Sequence, residues 1–218
     1  MHLVFPTYTK AERIADRTIH YIGVPLGIAA AICLLVRAAG QGSVLLMLST
    51  AIYAAGLVGM LASSAAYQLA KPGLLKEYLR RLDRAMIFVM IAGTYTPFST
   101  DVLYGKGGLW LCGVLWTLAA AGIFLSLKYP RRFERTLMAL YLAMGWMMLV
   151  SIRECFLLMS SLVFGLVVAG GILYTIGAVV QGLEKLKFHN PIWHALILVA
   201  AALQYAAVSL ALTGGVLL

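Results

Sequence analysis

The chain has 218 residues, 62% of them hydrophobic and 11% charged, with a formal net charge of +9 and a mean hydropathy of +0.93. Soluble domains carry about a quarter charged residues, so the composition excludes a water-soluble fold and defines an integral membrane protein. The positive charge does not imply nucleic acid, because it is gathered on one side of the apolar segments, as shown below.

Residues 1–17 form a charged N-terminal segment whose mixed signs permit an interfacial helix. No cleavable signal is evident, since the first apolar run lies behind this charged stretch and is long enough to span. Seven apolar segments then follow in order: Thr18–Ala38, Ser43–Leu69, Ala85–Leu103, Gly108–Leu127, Leu137–Ile152, Leu162–Gly182 and Ile192–Leu217. The fifth is the shortest, cut off by Arg153 and Glu154 near the lower limit for a spanning helix. Thr94, Thr96 and Pro97 suggest a kink in the third, with hydroxyls near the carbonyls that proline frees. Gly93, Gly165, Gly170, Gly171 and Gly177 suit close helix approach, and Trp110, Trp146 and Trp193 lie toward segment ends as interfacial anchors do. Cys33, Cys112 and Cys155 have no CxxC spacing and read as small buried hydrophobes.

Of the 17 Lys and Arg residues, all but Arg37, Lys106 and Arg153 fall before segment one or between segments two and three, four and five, and six and seven. The positive-inside rule then places the N-terminus in the cytoplasm and the C-terminus outside. The basic inner face accounts for the charge through anionic lipid rather than nucleic acid. The expectation is one all-α domain over residues 1–218, a seven-transmembrane-helix bundle in a bacterial inner (plasma) membrane.

Four polar residues interrupt the apolar pattern at one end: Ser64 and Gln68 near the end of segment two, Asp83 at the start of three and His194 near the start of seven. A charge at mid-bilayer costs about 2.5–3.5 kcal/mol, so such groups need a reason. Ser64 and Gln68 are four apart and share a helix face, as do Asn190 and His194. Each has a plain structural alternative. Asp83 sits among Arg80, Arg81 and Arg84 as an ion-pair partner, Ser64 bonds back to its helix, Gln68 snorkels, and His194 packs. Their common depth favours a shared pocket.

The segment LRRLDRAMIFVMIAGTYTPF, Leu79–Phe98, resembles the central signature of the hemolysin III family, which groups with the adiponectin and progestin receptors and, more distantly, the alkaline ceramidases. TIHYIG (Thr18–Gly23), SAAYQ (Ser64–Gln68), LYLAMGW (Leu140–Trp146), GGILYTIG (Gly170–Gly177) and NPIWH (Asn190–His194) follow the family order, so the resemblance covers nearly the whole chain. It implies seven helices with a cytoplasmic N-terminus.

It also implies zinc, held by a histidine four after the serine of segment two and by a His-x-x-x-His pair opening segment seven, with the aspartate of segment three holding a water. Ser64, Asp83 and His194 match this pattern; Gln68 and Asn190 stand where two imidazoles belong, and Gln204 stands at a position often histidine. Amide oxygens are poor zinc donors, so a polar network that keeps the pocket's shape is expected in place of a tight zinc site. Asn190–Pro191 reads as an N-cap and first-turn proline. His189 then lies outside the helix, as a substitute ligand or an exposed loop histidine. His20, at the same depth, is a further polar contributor or an interfacial histidine.

The resemblance therefore implies a lipid-sensing protein, or a weakened relative of zinc-dependent lipid-amide hydrolases, with membrane lipid or a fatty acid as ligand. In the hydrolytic version His194 is the metal ligand, Asp83 serves the water and Ser64 the oxyanion. Whether it is an enzyme stays open at this point. The alternative is a membrane-permeabilising (hemolytic or cytolytic) or channel-like protein, for which the sequence offers no acidic ring or polar stripe.

Overall fold

The computed structural model describes residues 5–129 and 131–212; the last residues of the seventh apolar segment, 213–217, lie outside the described residues. Every regular element described is helical: α1 Lys10–Ala39, α2 Val44–Leu69, α3 Leu74–Pro97, a π-helical turn Phe98–Val102, α4 Gly108–Lys128, α5 Glu134–Gly145, a 3-10 turn Met147–Ser151, α6 Ile152–Leu158, α7 Ser161–Gly182 and α8 His189–Ala211. Six of these paths are long and apolar enough to cross a membrane, with α5 to α6 counted as one. Helix α3 is not among the six, because its first three turns carry Lys76, Glu77, Arg80, Arg81, Asp83 and Arg84.

Local chemistry sets the helix ends. Thr9 and Glu12 form a reciprocal capping box on α1, while the Ser43 and Ser160 hydroxyls cap α2 and α7. The helices close into a ring: α1 packs between α8 and α2, α2 against α3, α3 against α4 and α5, α5 against α7, and α7 against α8. Helices α2 and α3 approach closest where glycines face backbone. A Cβ on Gly56 would lie 3.3 Å from Met90 Cα, and one on Gly93 3.6 Å from Tyr53 Cα. Tyr53 and Phe88 are fully buried there, whereas Ile22, Leu26, Leu48, Phe124 and Phe156 face outward, as lipid-facing side chains must.

Several sequence expectations change. The fifth segment does not stop at Ile152. It breaks at Gly145–Met147 and continues as α6 to Leu158, with Arg153 exposed and Glu154 half-buried. Tyr95 of α3 bridges this break: its hydroxyl donates to Gly145 O at 2.6 Å and accepts from the Met148 N–H at 3.0 Å. Pro97 closes α3 and leads into the π-helical turn, and the Thr94 and Thr96 hydroxyls donate to Met90 O and Ala92 O of their own helix. Trp110 is exposed as an anchor would be, but Trp146 and Trp193 line an internal cavity. Of the cysteines, Cys155 is buried, Cys112 half-buried and Cys33 exposed.

At the loop end of α3 an ion network centred on the buried pair Arg80 and Glu77 joins three elements. Arg80 donates to Glu77 at 2.8 and 3.2 Å and to Glu134 at 3.0 Å; Arg131 reaches Glu77 at 3.0 Å and Arg84 reaches Glu134 at 3.3 Å. Removing one partner of a buried pair strands the other's charge. Arg80→Met therefore costs about 3 kcal/mol of stability, and adding Glu77→Gln restores part of it. Thermal unfolding in detergent checks both; equal melting of Arg80→Met and the unaltered protein excludes the network as a support.

Candidate functional site

Asp16 and His20 lie four apart on α1 and project from one face. They are 5% and 6% exposed, and His194, one turn inside α8, is 9% exposed. The Asp16 carboxylate accepts from His194 Nδ1 at 2.5 Å and from Asn190 Nδ2 at 3.2 Å, through the same oxygen. Its backbone carbonyl accepts from His20 Nδ1 at 2.8 Å. One residue thus holds both imidazoles by Nδ1.

That arrangement fixes the tautomers. Carboxylate and carbonyl oxygens only accept, so both Nδ1 atoms carry hydrogen, and in the neutral rings both Nε2 atoms present lone pairs. Both converge on Ser64, with Oγ 3.2 Å from His20 Nε2 and 3.4 Å from His194 Nε2, and the rings meet edge-on at 4.6 Å. A serine hydroxyl has one hydrogen to give, so two lone pairs compete for it. The cluster therefore has room for one more positive centre, a proton or a metal cation.

The residues proposed from sequence divide clearly. Ser64, Asp83, His194 and His20 line one cavity; Asn190 is buried behind His194 and steadies Asp16. Asp83 is not at the start of its helix but nearly three turns inside α3, beside Ser64 and in the field of His194. Gln68 is half-buried one turn beyond Ser64 and has no side-chain hydrogen bond among the described residues. His189 is a correction: α8 begins at His189, with Phe188 as its N-cap, so Asn190 is inside the helix. His189 is half-buried, bonds Leu186 O at 3.1 Å and is not among the residues lining the cavity. Asp16 was missed. Its spacing of four from His20 was the available signal, obscured because residues 1–17 read as a solvent-side segment.

The cavity, about 140 Å³, runs from this cluster along Met90, Ile91, Tyr174 and Trp146 to Gln204. Beyond the polar end the N-terminal segment crosses to α8. Glu12 accepts from the Phe188 N–H at 2.9 Å, holding Phe188 at φ 61°, a left-handed conformation, and the Tyr8 ring packs on His189. Burial, then the nearby Tyr67 and Asp16, pushes the Tyr8 hydroxyl up to about 12.

The metal implied by the family pattern was tested against the donors present. Ligand-capable atoms of Asp16, His20 and His194 all lie within 4.8 Å of one another, and two imidazoles with a carboxylate are a set that divalent metals accept. In that set His20 of α1 stands as an imidazole in place of those that Gln68 and Asn190 lack. Oriented Nδ1–H groups are also what metal-binding histidines carry.

A ring of long apolar helices around a cavity that is polar at one end defines an integral, multi-pass membrane protein. The chain belongs to the haemolysin III family: the model described as "Haemolysin-III related" matches residues 10–205. It is 34% identical to the hemolysin-3 homolog of Bacillus subtilis (strain 168), over 91% of this chain and 93% of that protein. It is equally 34% identical to hemolysin-3 of Bacillus cereus, over 89% of each. The human monocyte to macrophage differentiation factor is 25% identical over 58% of this chain and 52% of its own length. No solved structure matches the chain.

Two outcomes check the geometry. Nitrogen-15 NMR of labelled histidine shows His20 and His194 as Nδ1–H tautomers, and Asp16→Asn releases His194 from that state; an unchanged His194 spectrum rules out the Asp16 clamp. The Glu12 contact with the start of α8 is acid-sensitive. Bonds from Phe188 N–H and Thr9 hold the Glu12 carboxyl at about 2, below its usual 4.5. A depressed carboxyl pKa stabilises above the unfolded value, so this contribution is complete above pH 4.5 and lost as pH falls toward about 2. Hydrogen exchange at Phe188, which becomes unprotected in Glu12→Ala at neutral pH, reads it out.

Proposed function

We propose that this protein is a seven-span lipid-binding member of its family, and that its cavity receives a membrane lipid or fatty acid with the polar head at Asp16, His20 and His194. The carrying observation is the lining of the cavity: mostly apolar side chains, with His20, His194, Ser64 and the Asp83 carboxylate gathered at one end, complementary to an amphiphile. In this reading α3 and its π-helical turn supply the seventh span, the chain forms one domain, and the placement of Lys and Arg puts the N-terminus in the cytoplasm of a bacterial inner membrane.

His20 and His194 would offer their Nε2 atoms to a divalent cation such as zinc, while the Asp16 carboxylate and carbonyl hold their Nδ1–H groups from behind. Such an ion, when bound, supplies Lewis-acid polarisation of a carbonyl and lowers the pKa of a coordinated water. The chain's own residues do the positioning: Asp16 orients both rings, Asn190 steadies Asp16, Ser64 offers a hydroxyl to the head group, and Asp83 accepts a hydrogen bond from it. Two imidazoles stand where the family pattern has three, which favours lipid binding and sensing over hydrolysis. The name hemolysin-3 carried by the bacterial relatives raises a permeabilising role as the second reading.

Metal and lipid analysis of purified protein tests the proposal. Zinc near one per chain is expected in the unaltered protein and in Gln68→Ala, falling at least about tenfold in His20→Ala, His194→Ala and Asp16→Asn. Extractable acyl lipid is expected to diminish in Gly171→Leu, which fills the cavity beside Trp146. Protein free of both metal and lipid overturns the reading, and dye efflux from vesicles bearing it establishes the permeabilising one.

A further inference from the structure

The far end of the cavity is not wholly apolar. Gln204 lies ten residues beyond His194 on α8, about 15 Å along the axis at the helical rise per residue. It is 6% exposed, and its Nε2 donates to Val167 O on α7 at 3.1 Å. The amide fits against α7 because residue 170 is glycine: a Cβ there would stand 2.7 Å from Nε2. With the nitrogen tied down, Oε1 is buried and has no hydrogen-bond partner among the described residues. Tyr174, one turn from Gly170 on α7, lines the same cavity, and its hydroxyl is likewise buried and unpartnered. Gln204 also borders an adjoining space of about 40 Å³ between Thr94, Tyr95 and Trp146, so there is room at this point for a group of one or two heavy atoms.

Buried polar atoms almost always find a partner, and leaving one unmade is unfavourable. Here the unmatched acceptor and hydroxyl belong to side chains that line a channel whose other end already holds a polar cluster. We propose that Gln204 and Tyr174 form a second polar subsite, which binds a hydroxyl carried on the chain of the lipid about 15 Å from its head group. The ligand hydroxyl donates to Gln204 Oε1 and accepts from the Tyr174 O–H. The preferred ligand is therefore a hydroxylated acyl chain rather than a plain one. This rests on the cavity being a lipid site, and it adds a preference that the cluster at the other end cannot supply.

The test uses delipidated full-length protein in detergent with two probes, dodecanoate and 12-hydroxydodecanoate. Binding is followed by tryptophan fluorescence, since Trp146 and Trp193 line the cavity. The hydroxylated probe is expected to bind about three- to tenfold more tightly, as one or two net hydrogen bonds provide. Gln204→Leu brings the ratio of the two affinities to about one. Tyr174→Phe, which keeps the ring and loses only the hydroxyl, lowers the same ratio and serves if the first variant does not fold. Equal binding of both probes by the unaltered protein overturns the subsite and assigns these atoms to water, while leaving the lipid cavity intact. A preference that survives both variants overturns it as well. Binding of neither probe overturns the lipid cavity, and the subsite with it.

Discussion

The carboxylate of Asp16 and its own backbone carbonyl each take one Nδ1–H, from His194 and His20. The first of these bonds registers α1 against α8, the second fixes the His20 ring on its own helix, and both imidazoles turn their remaining nitrogens toward Ser64 on α2. In a medium of low dielectric such a bond is strong when made and costly when broken, so the three helices cannot slide past one another by a turn without losing it. The ring of helices, the cavity inside it and the direction of both histidines follow from that constraint.

Elsewhere the bundle obeys the same rule with weaker groups. Thr94 and Thr96 bond back to their own helix, and Trp116 and Trp146 find threonine hydroxyls at 3.1 Å. Charged side chains are gathered at helix ends, where Glu77 and Glu134 collect four arginines and tie the α4–α5 loop to α3. A few buried polar atoms have no partner among the described residues, and of these Gln204 Oε1 and the Tyr174 hydroxyl belong to residues that line the cavity.

The helical class, the family and the depth of Ser64, Asp83, His194 and His20 were legible in the sequence, because hydropathy and i,i+4 spacing are local signals. What crosses between helices was not. Nothing local to α1 says that Asp16 faces His194 across 178 residues, or that Gln68, one turn from Ser64, stays out of the cluster. The start of α8 was misplaced for a related reason. Asn190–Pro191 is a fair cap signal, but the Glu12 bond to the Phe188 amide begins the helix earlier, and that bond comes from the other end of the chain. The family's metal positions do not include His20, although its imidazole lies with Asp16 and His194 in a group that could hold a metal ion.

The break in the fifth segment has a consequence for the order of assembly. At Gly145 and Met148 the backbone cannot satisfy itself, and the groups it leaves are closed by a side chain of α3. Helix α3 is synthesised earlier, so the fifth wall of the cavity is finished only after it meets a partner already in place. The chamber is thus closed by docking rather than by the local winding of one segment. A chain that ends before α5 contains Tyr95 without the gap it fills.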